Sequence, residues 1–164
     1  MAFERGELTA EEFKKFILAG RAIVTIENEE SRGRFTYRVK HKKGAGEHGP
    51  YFVAVLAGPD NNHHYMYIGT LWYGRGGHYD YKHEGGFVPD LYFRHSPKSR
   101  VGKETATFQS FLWVTKRLNA TSPDRPWPPH IKLYHEGRCG RCGRRLTVPE
   151  SIKAGYGPEC IQFV

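Results

Sequence analysis

The residues best equipped for chemistry are three cysteines, Cys139, Cys142 and Cys160, all within the last 26 residues of a 164-residue chain. Cys139-Gly-Arg-Cys142 puts two thiolates on one tight turn, the arrangement by which sulfurs share a metal ion or form a redox pair. Downstream, Thr147-x-x-Glu150 has capping-box spacing and Pro149 suits a first helical turn, so a short helix is predicted to run to about Ala154. Gly155 stops it, and Gly157-Pro158 turns the chain so that Cys160 returns to the pair. His135, four residues before Cys139, supplies a fourth ligand, with His130 as the alternative. The expected metal set is therefore His135, Cys139, Cys142 and Cys160, a closed tetrahedral zinc site.

Two rival chemistries fit less well. A redox Cys-x-x-Cys belongs next to a βαβ pattern, which does not precede this one. A catalytic zinc keeps one position for water and is accompanied by a base, whereas four protein ligands close the sphere and no H-x-E motif is present. Three thiolates and one divalent ion lower the formal charge from +8 by one and leave a −1 site. Arg138, Arg141, Arg144 and Arg145 surround it, some stabilising the sulfurs and the rest forming a basic rim.

The tail must be held by something larger, since it has too few apolar residues for a core of its own and needs a metal or a docking surface. The predicted architecture is α+β, an antiparallel sheet flanked by two helices over residues 1–129, followed by a small zinc-knuckle or ribbon module over 130–164. Thr9 and Glu12 form a capping box ahead of an apolar stripe of Phe13, Phe16 and Ile17, which predicts a helix from Ala10 to near Gly20. Alternation predicts strands at 22–27, 34–40, 51–57 and 65–72, with a shorter one at 89–94. Residues 42–50 read as a basic, Gly-rich loop and 58–62 as a tight turn joining a hairpin. A second helix is predicted over 103–118, buried through Phe108, Phe111, Leu112, Thr115 and Leu118, with both helices on one sheet face. Four prolines mark 119–129 as a linker. The stretch 73–86, rich in Gly, Tyr and His, gives no clear period.

The tail resembles a small zinc-binding domain of unknown function found in phage and bacterial proteins. The resemblance rests on Cys139-x-x-Cys142-Gly143-Arg144-x-Leu146-Thr147-x-Pro149-x-Ser151, then Gly155-x-Gly157-Pro158-x-Cys160. Upstream, Arg34-Phe-Thr-Tyr-Arg38, Tyr51-Phe-Val and Leu56-Ala-Gly-Pro59-Asp60 also look like the segment that often accompanies this tail in phage proteins. The resemblance implies a zinc site and a phage or bacterial setting, and no activity.

Charge points to the partner. Residues 1–31 carry −3, so the remainder carries +11, clustered at 32–43, 94–103 and 138–145. Aromatics interleave with these cations: Tyr37, Tyr51, Tyr65, Tyr67, Trp72 and Tyr73. Bases stack on aromatics and phosphates meet cations in single-strand recognition. Alternation assigns Phe35, Tyr37 and Phe52 to the core instead, and leaves Trp72 and Tyr73 open. Phosphate contacts are expected from Arg38, Lys40, Lys42, Lys98, Arg100, Arg141, Arg144 and Arg145. His63-His64 and the run from His78 to Glu84 carry acid–base groups, but neighbouring histidines on a strand face opposite ways, and no P-loop, nucleophile elbow or HExxH is present. The expectation is a non-catalytic, zinc-stabilised nucleic-acid-binding protein, DNA or RNA, of phage origin. The alternative is a phage inhibitor that occupies the groove of a host nucleic-acid-processing (defence) enzyme. Three cysteines, no secretory signal and no apolar run of ~20 residues fit a reducing cytoplasm and no membrane.

Overall fold

The computed structural model describes residues 5–46, 48–58, 64–74 and 91–164. Seven strands form one antiparallel sheet: β1 (Gly6–Leu8), β2 (Arg21–Asn28), β3 (Arg34–Gly46), β4 (Gly49–Leu56), β5 (Tyr65–Tyr73), β6 (Leu91–His95) and β7 (Ile131–His135). Their spatial order is β1-β7-β2-β3-β4-β5-β6. Helix α1 (Ala10–Ile17) and α2 (Ala106–Asn119) cover one face, and α3 (Pro149–Ala154) with a 3-10 turn (Cys160–Phe163) belongs to the C-terminal tail. The α+β reading therefore holds. No helix is long and apolar enough to cross a membrane among the described residues. Most of the expected turn at 58–62, the stretch 75–86, and His63, His78 and His83 lie outside the described residues.

The sheet sorts its side chains by period-two alternation. Val24 and Ile26, Tyr37 and Val39, Val53 and Val55, and Leu133 point inward and are buried. The helices answer with Phe13, Phe16 and Ile17 from α1, and Phe108, Phe111, Val114 and Leu118 from α2. Rings lock the two layers. Phe111 lies 5.0 Å from Tyr37 and 4.8 Å from Phe93, centroid to centroid, and the Tyr37 hydroxyl donates to the Thr107 carbonyl at 2.5 Å. Thr9 caps α1 as expected, with both halves of the capping box formed.

Four expectations are corrected. First, residue 130 is not a boundary: β7 lies inside the sheet, between β1 and β2. Ile131, Leu133 and His135 alternate inward, so the chain after the proline linker completes the main core. Second, residues 42–46 extend β3 rather than forming a loop, pairing onward to Gly46↔Gly49 past a register shift. Third, Thr147 does not cap α3; Val148 is the N-cap and makes no side-chain hydrogen bond, leaving Pro149 to start the helix. Fourth, Phe52 is not core. It lies on the sheet's outer face, 39% exposed, edge-on to Tyr67 at 6.0 Å.

A β-bulge explains much of that outer face. Val53 pairs with Gly69 but Ala54 pairs with Tyr67, so β5 carries an extra residue. Ile68 and Gly69 are both buried, and the phase is reset around them. As a result Tyr65 and Tyr67 before the bulge, and Thr70 and Trp72 after it, share the outer face by register. Gly69 is obligatory here, because a Cβ would lie 2.1 Å from the Arg94 carbonyl oxygen.

Candidate metal centre and basic sheet face

The tail folds back as the spacing predicts. The Sγ atoms of Cys139, Cys142 and Cys160 all lie within 4.8 Å of one another, and the three are free thiols. Glycine turns build the cluster. Gly143 at φ 80° follows the pair, and Gly155 at φ 85° ends α3 in the left-handed region. Backbone groups tie the turn: Cys139 N–H donates to the Arg144 carbonyl at 2.8 Å, and Gly143 N–H to the Cys139 carbonyl at 2.9 Å.

The sulfurs sit in a donor-rich surround. Gly157 N–H donates to Cys139 Sγ at 3.4 Å, and Arg141 Nη1 to Cys160 Sγ at 3.6 Å. Burial alone would raise the Cys139 thiol, but backbone N–H groups of Cys142, Gly157 and Arg141 outweigh it and hold the pKa below the usual thiol range. Burial raises the Cys142 thiol, and the neighbouring Cys139 and Cys160 sulfurs add to the rise. Three converging soft donors, one already inclined to ionise, can hold a metal ion. A cavity of about 460 Å³ opens beside them, with Arg141, Arg144, Arg145 and Glu159 in its lining.

His135 is the exception to the predicted set, since it does not join the sulfurs. Its ring is fully buried beneath the tail, stacked on Phe16 at 5.7 Å. Its Nδ1 accepts from Gly137 N–H at 3.0 Å, and its Nε2 hydrogen-bonds to the Ile152 carbonyl of α3. Both nitrogens are thus occupied by backbone, which fixes the neutral tautomer with the proton on Nε2. Burial pushes the pKa below the ordinary histidine value, against smaller opposing effects from the Ile152 carbonyl and Glu136. His130 is no substitute: it lies outside the cluster, with Nε2 3.6 Å from Glu30. Among the described residues the metal-ligand group is the three cysteines alone. His135 instead fastens the tail to the sheet. Gly6 opposite it on β1 leaves the room, since a Cβ there would approach His135 Nε2 to 2.3 Å.

The predicted phosphate contacts fall into separate places. Arg38 and Lys40 lie on the outer face of β3, with Lys42 further along the same strand. Arg141, Arg144 and Arg145 ring the sulfurs. Lys98 and Arg100 follow β6, at the opposite edge of the sheet from the tail, and do not join either group. Register adds Tyr92 and Arg21, which the sequence reading passed over, and places Arg94 and Arg138 beside them. Tyr92 and Arg94 on β6 stand opposite Trp72 and Thr70 on the outer face. Arg21 and Arg138 converge with Arg38 and Lys40 on one pocket. Knowledge of which strands are neighbours was the missing signal, since Arg21, Arg38 and Arg138 come from three distant parts of the chain.

Acidic side chains on this face gather near the β1–β7 edge. Lys132 Nζ lies 3.7 Å from Glu7 and Arg5 Nε 3.3 Å from Glu136. The centre of the face is basic and aromatic apart from Glu136, which reaches a cleft beside Arg34, Thr36 and Leu56.

Comparison with known proteins gives one family match. Residues 134–161 match the model of DUF6011, a family of unknown function. That segment contains all three cysteines and most of the tail. No curated protein matches the chain, and neither does any solved structure.

Proposed function

We propose that this chain is a non-catalytic, phage-encoded protein that binds single-stranded nucleic acid across the outer face of its sheet, with the tail held by one zinc ion. The carrying observation is that face. Phe52, Tyr67, Trp72 and Tyr92 occupy it beside Arg38, Lys40 and Arg94, while α1 and α2 pack on the other side. Nothing in core packing calls for four aromatics there. Aromatic rings offer sequence-tolerant stacking at about 1–3 kcal/mol per base, and cations between them meet phosphates. Zinc is the metal that three cysteine sulfurs in a tight knuckle suit best, and it would join α3 and the terminal turn to the Cys139 loop. Cys139, Cys142 and Cys160 would hold it, while His135 supports the loop from below.

The test is titration of the full chain against labelled single-stranded DNA, single-stranded RNA and duplex DNA at several salt concentrations. Single strands should bind best, with a steep negative salt slope. Phe52→Ala with Tyr67→Ala should weaken that binding by about tenfold or more while leaving the melting temperature nearly unchanged. Elemental analysis should find one zinc per chain, lost in Cys160→Ser. An absence of affinity at low salt overturns the nucleic-acid reading and favours a host protein as the partner.

A further inference from the structure

The pocket where the sheet meets the Cys139 loop is built differently from the stacking face around it. It holds about 230 Å³, with Ile23 and Tyr65 in its walls and Arg21, Arg38, Lys40 and Arg138 converging on it. No carboxylate lines it among the described residues. Its cations come from three segments: Arg21 opens β2, Arg38 and Lys40 are on β3, and Arg138 belongs to the cysteine turn. Two are already set in place. The Arg38 guanidinium stacks 4.8 Å from the centre of the Tyr65 ring, and Arg138 Nη1 donates to the Gly143 carbonyl at 3.1 Å.

Tyr65 supplies the second observation. Its hydroxyl is buried and has no hydrogen-bond partner among the described residues. A buried hydroxyl without a partner costs about 1–3 kcal/mol, so an acceptor oxygen entering the pocket gains from its free O–H. Burial raises its pKa, with Arg38 opposing, Glu136 adding and Arg138 opposing, so the hydroxyl stays protonated and can donate at neutral pH.

We propose that this pocket binds a phosphomonoester dianion. Four cations and one O–H donor exceed what a mid-strand phosphodiester uses, with one charge and two free oxygens. A terminal phosphate brings two charges and three free oxygens, and charge-assisted contacts of this kind are the strong ones. On the nucleic-acid reading above, the ligand is the phosphorylated end of a single strand whose bases run onto Phe52 and Tyr67. The same chemistry is presented by a small phosphate ester or by inorganic phosphate.

The experiment compares one oligonucleotide with a 5′-phosphate, a 3′-phosphate or neither, on the full metal-loaded chain. A parallel arm follows inorganic phosphate by ³¹P line broadening. One phosphorylated end should bind at least tenfold tighter than the unphosphorylated strand. Tyr65→Phe, which keeps the ring under Arg38, should cut that ratio several-fold at unchanged melting temperature, and Arg21→Gln should abolish most of it. Equal affinity for all three strands, with no phosphate broadening, overturns the pocket and leaves the stacking face standing. No affinity for any strand, with phosphate broadening that Tyr65→Phe weakens, upholds the pocket as a small-phosphate site and overturns the nucleic-acid reading.

Discussion

Replacing His135 by alanine separates a fastening role from a ligand role. The imidazole is fully buried, stacked on Phe16, and bonded at both nitrogens to backbone groups of Gly137 and Ile152. Truncation orphans one N–H and one carbonyl, each worth about 1–3 kcal/mol when left unsatisfied, and opens a cavity beneath the tail. Part of this is recovered if water enters, so the net loss should be about 2–5 kcal/mol. For a chain of this size that lowers the melting temperature by roughly 4–20 °C. The metal site should be spared. With cobalt(II) as a spectroscopic substitute, His135→Ala should bind one ion per chain with the sulfur charge-transfer and ligand-field bands of the parent. Urea melts and cobalt spectra on the same samples make the check. A native-like fold that has lost the ion, or whose ligand-field bands shift, would refute the assignment and restore histidine to the metal.

Two further outcomes follow from the same geometry. Because burial lowers the His135 pKa in the folded state, its contribution is complete above the ordinary value of 6.5 and is lost as pH falls below it, where only the unfolded chain takes up the proton. Stability of the parent should therefore decline toward pH 5 more steeply than that of His135→Ala, by up to about 1.4 kcal/mol per pH unit; parallel slopes in urea melts would discount the burial effect. Gly69→Ala forces a methyl to 2.1 Å from the Arg94 carbonyl, which must push β6 away from β5. That substitution should cost about 2 kcal/mol or more and speed amide exchange at Arg94 and His95; exchange at the parent rate would show that the bulge absorbs it.

Short-range patterns were legible in the sequence and long-range partners were not. Thr9 and Glu12 announce α1 because a capping box is complete within four residues. The cysteines announce their cluster because a Cys-x-x-Cys turn and a Gly-Pro return need no knowledge of the rest of the chain. Strand β7 went unseen although Ile131, Leu133 and His135 alternate, because the run follows four prolines and His135 was claimed as a ligand. Spacing placed that histidine near the sulfurs in sequence, but its side of the sheet decided what it touches. Strand β1 is three residues long, too short for any period to show. Phe52 was misassigned because β4 is apolar on both faces, so its composition does not set its phase; Tyr51, Val53 and Val55 take the inner face in unbroken alternation and leave Phe52 outside.

The place of β7 bears on how the chain acquires its shape during synthesis. Among the described residues β1 pairs only with β7, and β2 has β7 as its second neighbour. Until residue 135 has left the ribosome, the first strand has no partner and one edge of β2 stands open. Closure of the sheet must therefore wait for Ile131–His135, and a nascent chain halted before Ile131 presents an unpaired strand edge with Val24 and Ile26 alongside. The strand that closes the sheet thus emerges just ahead of the cysteine segment.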